Sequence, residues 1–245
     1  MIIQLALAIF PTVFIAWVIY RSDRYEREKW LPLTLCFILG MIITFPVMRV
    51  QEAFYAWGSD DPGNIFWLCF TSFLVVSFTE EFFKFLVLVL FPYLRPFFNE
   101  PLDGIIYAVM ISMGFATLEN ILYALEFGIS TTALRGLTAV PAHAVFATMM
   151  GYFVGKSKFK TAGKTRLRFL MMGLSIAVLV HGLYDFFIIQ EFYDWLMLLA
   201  IVTLFVSIFF ALRMLKEEQA ESATLWHNKL PELPVDESEE IESTP

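Results

Sequence analysis

An apolar run from Asn64 to Leu94 carries three charges near its centre, in Thr79-Glu80-Glu81-Phe82-Phe83-Lys84. Lys84 follows Glu81 by three residues and Glu80 by four, the spacings at which side chains on a helix meet, so both carboxylates reach one ammonium. Placing each such charge in a membrane costs roughly 3 kcal/mol or more, so a cluster of three points to a task. Adjacent glutamates hold their protons unequally, and Lys84 helps keep one of them ionised. Such a pair can take a proton from water, and an imidazole or second acid can then protonate a leaving amine. Glu119, His143, His181 and Asp185 also lie in apolar runs. His143 and Asn120 offer N–H groups suited to an oxyanion. Glu119 can orient or ionise a histidine, and Asp185, four residues after His181, can fix its tautomer.

These residues must be positioned by membrane helices. Of the 245 residues, 58% are hydrophobic, above the usual soluble share, and mean hydropathy is +0.68. The apolar runs are continuous, which predicts an all-α polytopic bundle rather than a barrel. Seven spans are expected, near 2–20, 31–50, 65–93, 104–126, 138–155, 169–189 and 195–212. Fourteen of the seventeen Lys and Arg fall on one side of that drawing, which predicts an outside N-terminus and a cytoplasmic C-terminus. The first run is read as a retained span, not a signal peptide. Cys36 and Cys69 are read as unpaired small hydrophobes, and Asp60-Asp61-Pro62-Gly63 as a turn. A catalytic domain over 1–215 is followed by an acidic tail over 216–245, expected to be disordered and to leave His227 solvated. No basic stripe suggests nucleic acid.

Each polar residue also has a plainer reading. Glu81 and Lys84 can form a structural salt bridge, His181 and Asp185 a helix-locking contact, and His143 an interfacial first turn. Asn120 and Thr117 suit helix packing better than catalysis. Polar residues at similar depth in four spans favour a shared chamber opening outward. No His-Glu-x-x-His is present, so no metal is expected, although two glutamates and two histidines are a donor set that zinc accepts. Gly-x-Ser-Gly and Gly-x-Gly-Asp are absent too, against the serine and presenilin-type aspartyl routes. Besides a peptidase, metal-free or metal-dependent, the chamber suits an ion or proton path or a non-catalytic holder of a partner helix. No repeat with paired broken helices supports a transporter.

Five segments in register give a more specific indication. They are Glu80-Glu81-Phe82-Phe83-Lys84; Asp103-Gly104-Ile105-Ile106-Tyr107 running into Gly114-Phe115-Ala116-Thr117-Leu118-Glu119-Asn120-Ile121-Leu122-Tyr123; Pro141-Ala142-His143; Met150-Gly151-Tyr152-Phe153-Val154-Gly155-Lys156; and His181-Gly182-Leu183-Tyr184-Asp185-Phe186. In these the chain resembles the PrsW family of bacterial intramembrane proteases, related to the CAAX prenyl endopeptidases, over about residues 1 to 215. The resemblance implies a multi-pass protease of the bacterial cell membrane. It implies a first, extracytoplasmic cut in a single-span anti-sigma factor, whose product a site-2 protease cuts again to free an extracytoplasmic-function sigma factor under envelope stress. It also implies that Glu80, Glu81 and His181 are essential, with Glu119 and His143 as further active-site members.

Overall fold

The computed structural model describes residues 2–229 apart from Tyr25, Ser59, Asp60 and Pro62, and every regular element among them is helical. In chain order these are α1 (Ile2–Ser22), α2 (Trp30–Ala56), α3 (Ile65–Phe70), a π-helical stretch (Thr71–Phe78), α4 (Thr79–Leu90), α5 (Asp103–Leu137), α6 (Ala139–Phe159), α7 (Gly163–Ile189) and α8 (Met197–Lys229), with 3₁₀ turns at Pro92–Leu94 and Asp194–Leu196. Five units are long and apolar enough to cross a membrane: Ile2–Ser22, Trp30–Ala56, Asp103–Phe159, Gly163–Ile189 and Asp194–Asn228. The seven-span division cuts Asp103–Phe159 in two and adds 65–93, which the structure builds from short α, π and 3₁₀ pieces. Phe10, Phe45, Phe205 and Phe209 are exposed on α1, α2 and α8, as lipid-facing side chains are.

α5 and α6 form the centre, and small residues let their backbones touch. Ser112 Oγ donates to the carbonyl of His143 (2.9 Å), and a Cβ added to Gly104 would lie 2.3 Å from the Gly151 carbonyl oxygen. Gly151 and Gly155 make the small-xxx-small face that membrane helices use for close approach without a hydrophobic drive. On its other side α5 meets α2, where a Cβ on Gly114 would lie 1.9 Å from the Phe37 carbonyl oxygen. α1 runs antiparallel to the middle of α5, linked by Thr117 to Thr12 (2.6 Å) and Asn120 to the Ala8 carbonyl (3.1 Å).

The chain does not leave the bundle cleanly in the later part of α5. Gly128 breaks the helix at φ 84°, ψ −171°, a backbone state open to glycine at little cost. The segment after it folds back, so that Gly136 sits against Leu7 and Pro11 of α1. What composition reads as an outer connection over 127–137 is therefore helix returning into the bundle, and it leads directly into α6. The π-helical stretch matters similarly. Its wider turns change which face the next residues present, and Ser77 fastens it to α7 by donating to the Val178 carbonyl (2.6 Å).

Four buried acids gather at the opposite end of α5, on the face where the basic connections meet. Asp103 accepts the backbone N–H groups of Asn99 (2.6 Å) and Glu100 (2.9 Å), Asp23 accepts that of Glu28 (2.9 Å), Tyr107 donates to Glu28, and Trp226 to Glu100. α8 crosses this face: Gln219 donates to the Ser22 carbonyl (2.9 Å) and Ser222 accepts the Leu102 N–H (3.3 Å). Residues 216–229, which composition assigns to the acidic tail, thus continue α8, with His227 exposed; 230–245 lie outside the described residues. Of the turn expected at Asp60–Gly63, Asp61 and Gly63 are described, and the Gly63 N–H donates to Asp61 (3.2 Å). Both cysteines are free.

Candidate active site

The first turn of α4 aims Glu80, Glu81 and Lys84 inward, and all three are almost wholly buried. Lys84 Nζ donates to Glu80 Oε2 at 3.2 Å and to Glu81 Oε1 at 2.8 Å, as the i, i+3 and i, i+4 spacing requires. His143 arrives from α6 and offers Nδ1 to the same ammonium at 3.2 Å. Lysine only donates, so Nδ1 accepts, and the proton on Nε2 donates to Glu119 Oε2 (3.0 Å). His181 on α7 stands between acids: Nδ1 lies 3.0 Å from Glu81 Oε1 and Nε2 lies 3.2 Å from Asp185 Oδ2.

One ligand atom from each of Glu80, Glu81, His143 and His181 falls within a cluster 4.8 Å across. Both imidazoles turn Nδ1 toward this centre and hold Nε2 against a carboxylate, Glu119 or Asp185, as supporting carboxylates do for metal-ligating histidines. Phe146 stacks on His181 (4.7 Å between centroids), and Phe115 lies under Lys84 (4.2 Å) and against His143 (5.8 Å). These rings shut water from the floor. Glu119 and Asp185, at 18% and 16% side-chain exposure, mark the open side. Glu81 Oε2 is buried and without a hydrogen-bond partner, which leaves it free to accept.

The structure therefore brings together seven of the eight residues singled out by sequence: Glu80, Glu81, Lys84, Glu119, His143, His181 and Asp185. Asn120 is placed elsewhere, fully buried with its amide on α1, one helix position round from Glu119. Arg135 and Gln51 were missed. Arg135 bridges Glu119 Oε2 at 2.7 Å and lies 3.7 Å over the Tyr123 ring; Gln51 donates weakly to Glu80 Oε1 at 3.4 Å. One sequence signal pointed to Arg135: with Arg49 it is one of two basic residues on the side expected to face outward.

The family model for PrsW family intramembrane metalloproteases matches residues 28–212. Protease PrsW of Bacillus subtilis is 35% identical over 188 residues, 77% of this chain and 83% of that protein. Protease PrsW of Geobacillus kaustophilus is 36% identical over 181 residues, 74% and 77% of the two chains. That of Oceanobacillus iheyensis is 33% identical over 221 residues, 90% and 97%. No solved structure matches.

Proposed function

Because the chain belongs to the PrsW family of intramembrane metalloproteases, multi-pass membrane peptidases of bacteria, we propose that it cuts a single-span anti-sigma factor near the outer membrane face. The convergence of Glu80, Glu81, His143 and His181 on one buried point carries this reading. The lopsided Lys and Arg distribution supports seven spans with the N-terminus outside and the tail in the cytoplasm. In that topology the open side, at Glu119 and Arg135, faces outward, as a first extracytoplasmic cut needs.

The donor set fits a divalent cation. Two carboxylates and two imidazoles are zinc's usual donors. With both imidazoles neutral, four acids against Lys84 and Arg135 leave two negative charges uncompensated, which one dication neutralises. Glu80, Glu81, His143 and His181 would hold it; when bound, such an ion polarises the scissile carbonyl and acidifies water. The protein's own groups do the rest. Glu81, through its unpartnered Oε2, or Glu80 takes the proton of the attacking water. The same carboxylate then passes the proton to the leaving amine. Arg135 holds Glu119, Glu119 holds His143, and Asp185 holds His181, so both rings keep their inner nitrogens on the reaction centre.

Lys84 favours a second reading. Its ammonium already contacts three of the four donors, so it can serve as the resident cation while a glutamate activates water unaided. The deciding experiment co-expresses a single-span anti-sigma factor with wild type, Glu80→Gln and Glu81→Gln, then assays purified protein for metal and for chelator sensitivity. Loss of the cut in both variants is expected, with inhibition by chelator reversed by zinc. Full cutting by both variants would sink the protease assignment, whereas chelator-resistant, metal-free activity would select the lysine-filled site.

A further inference from the structure

We propose that Glu217, Glu218 and Glu221, on the extension of α8, form a binding site for a hard divalent cation, Mg²⁺ or Ca²⁺, distinct from the active site. Their positions, i, i+1 and i+4, share one side of a helix, and one oxygen from each lies within a cluster 4.8 Å across. Two of the three have cations already. Glu217 Oε1 sits 2.5 Å from Lys156 and Glu221 Oε1 pairs with Lys160.

Glu218 is the independent observation. Its side chain is 0% exposed, both of its oxygens lack a hydrogen-bond partner, and the nearest ammonium, that of Lys156, stands 4.0 Å away. Glu221 Oε2 is buried and unpartnered as well. A charged carboxylate is not left so at the back of a cluster unless something else satisfies it. The unmet atoms are all acceptors, which calls for a cation. An all-oxygen set selects Mg²⁺ or Ca²⁺ over the zinc suited to the imidazole-containing centre. Glu217, at 45% exposure, gives the ion a way in from solvent. A bound ion would fix the extension of α8 beside Lys156 of α6, the helix that also carries His143, and Lys160, which caps it.

The probe is Tb³⁺, a hard ion of calcium-like size, added to the full-length protein in detergent and excited through tryptophan. Trp226 lies five residues beyond Glu221, about 8 Å along a helix axis, close enough to sensitise it. Tryptophan-sensitised emission is expected to saturate, to be displaced by Ca²⁺ or Mg²⁺, and to fall at least tenfold in Glu218→Gln. It should persist in Glu81→Gln, which excludes the active-site cluster as its source. Thermal unfolding provides the second readout: Ca²⁺ or Mg²⁺ should raise the Tm of wild type and leave that of Glu218→Gln unmoved. Equal emission from wild type and Glu218→Gln, or a Tm indifferent to both cations, overturns the site and leaves Glu218 as a buried protonated acid.

Discussion

Two groups of acids meet α5, one at its first turn and one near its middle, and the two are built on opposite principles. Asp103 opens the helix and Glu119 lies sixteen residues later, about 24 Å away at 1.5 Å per residue. Around Glu119 the acids have bases: Arg135, Lys84 and two imidazoles lie within 3.2 Å of a carboxylate. Around Asp103 the acids mainly have one another. Burial, together with the neighbouring carboxylates, raises Glu28 and Asp23 above their ordinary range and pushes Glu100 up to about 7. The first group keeps anions ready to take a proton or hold a cation. The second stores protons and uses its oxygens to accept Tyr107, Trp226 and backbone N–H groups, a structural part at the face where α8 docks.

This contrast can be broken most forcefully at the base-balanced group. Glu80→Gln, Glu81→Gln and His181→Ala should each lower cleavage of a co-expressed substrate at least ~10³-fold, the order lost when a unit of catalytic groups is broken, with unchanged membrane levels on a blot. Near-normal cutting by any of the three would remove that residue from the reaction. Arg135→Gln acts one step away, through Glu119 and His143, and should cost about 10–100-fold, as loss of a supporting contact does. The readout specific to positioning is partial rescue by Arg135→Lys, which keeps the charge on Glu119.

Beside Asp103, Gly104→Ala tests the close contact of α5 with α6. The added methyl meets the Gly151 backbone, and overpacking of this kind costs about 1–3 kcal/mol, visible as a lower Tm in detergent. An effect of similar size, but dependent on pH, belongs to the acid-rich group. An acid raised to about 7 binds more protons folded than unfolded between about 4.5 and 7, so stability falls as pH rises through that window and levels above it. Glu100→Gln, whose amide oxygen still accepts Trp226, should match wild type near pH 4.5 and exceed it at pH 8 by about 1–3 kcal/mol. A difference independent of pH would mean that Glu100 is not the group titrating there.

Sequence spacing sufficed wherever the helix itself makes the contact. Glu80, Glu81 and Lys84 meet because 3.6 residues per turn bring i, i+3 and i+4 together, and His181 meets Asp185 for the same reason. Continuous apolar runs likewise dictated an all-helical membrane protein, since only helices satisfy every backbone group within one such segment. Asn120 shows the limit. One residue from Glu119, it lies about 100° round the helix, and the packing of α1 decides that it faces Ala8 rather than the active centre.

Contacts between distant residues were the work of the tertiary structure. Lys84 and His143 are 59 residues apart in sequence, and they meet because α4 and α6 both pack on α5, whose Phe115 ring lies under Lys84 and against His143. Arg135 reaches Glu119 because Gly128 turns the chain back into the bundle, whereas hydropathy marks that stretch as a connection outside. The stretch 216–229 reads as acidic tail by composition, yet it is helix held to the bundle by Glu217, Glu221, Ser222 and Trp226. Local periodicity determines which residues share a face. Which faces meet depends on packing between backbones far apart in the chain, and no local spacing encodes that.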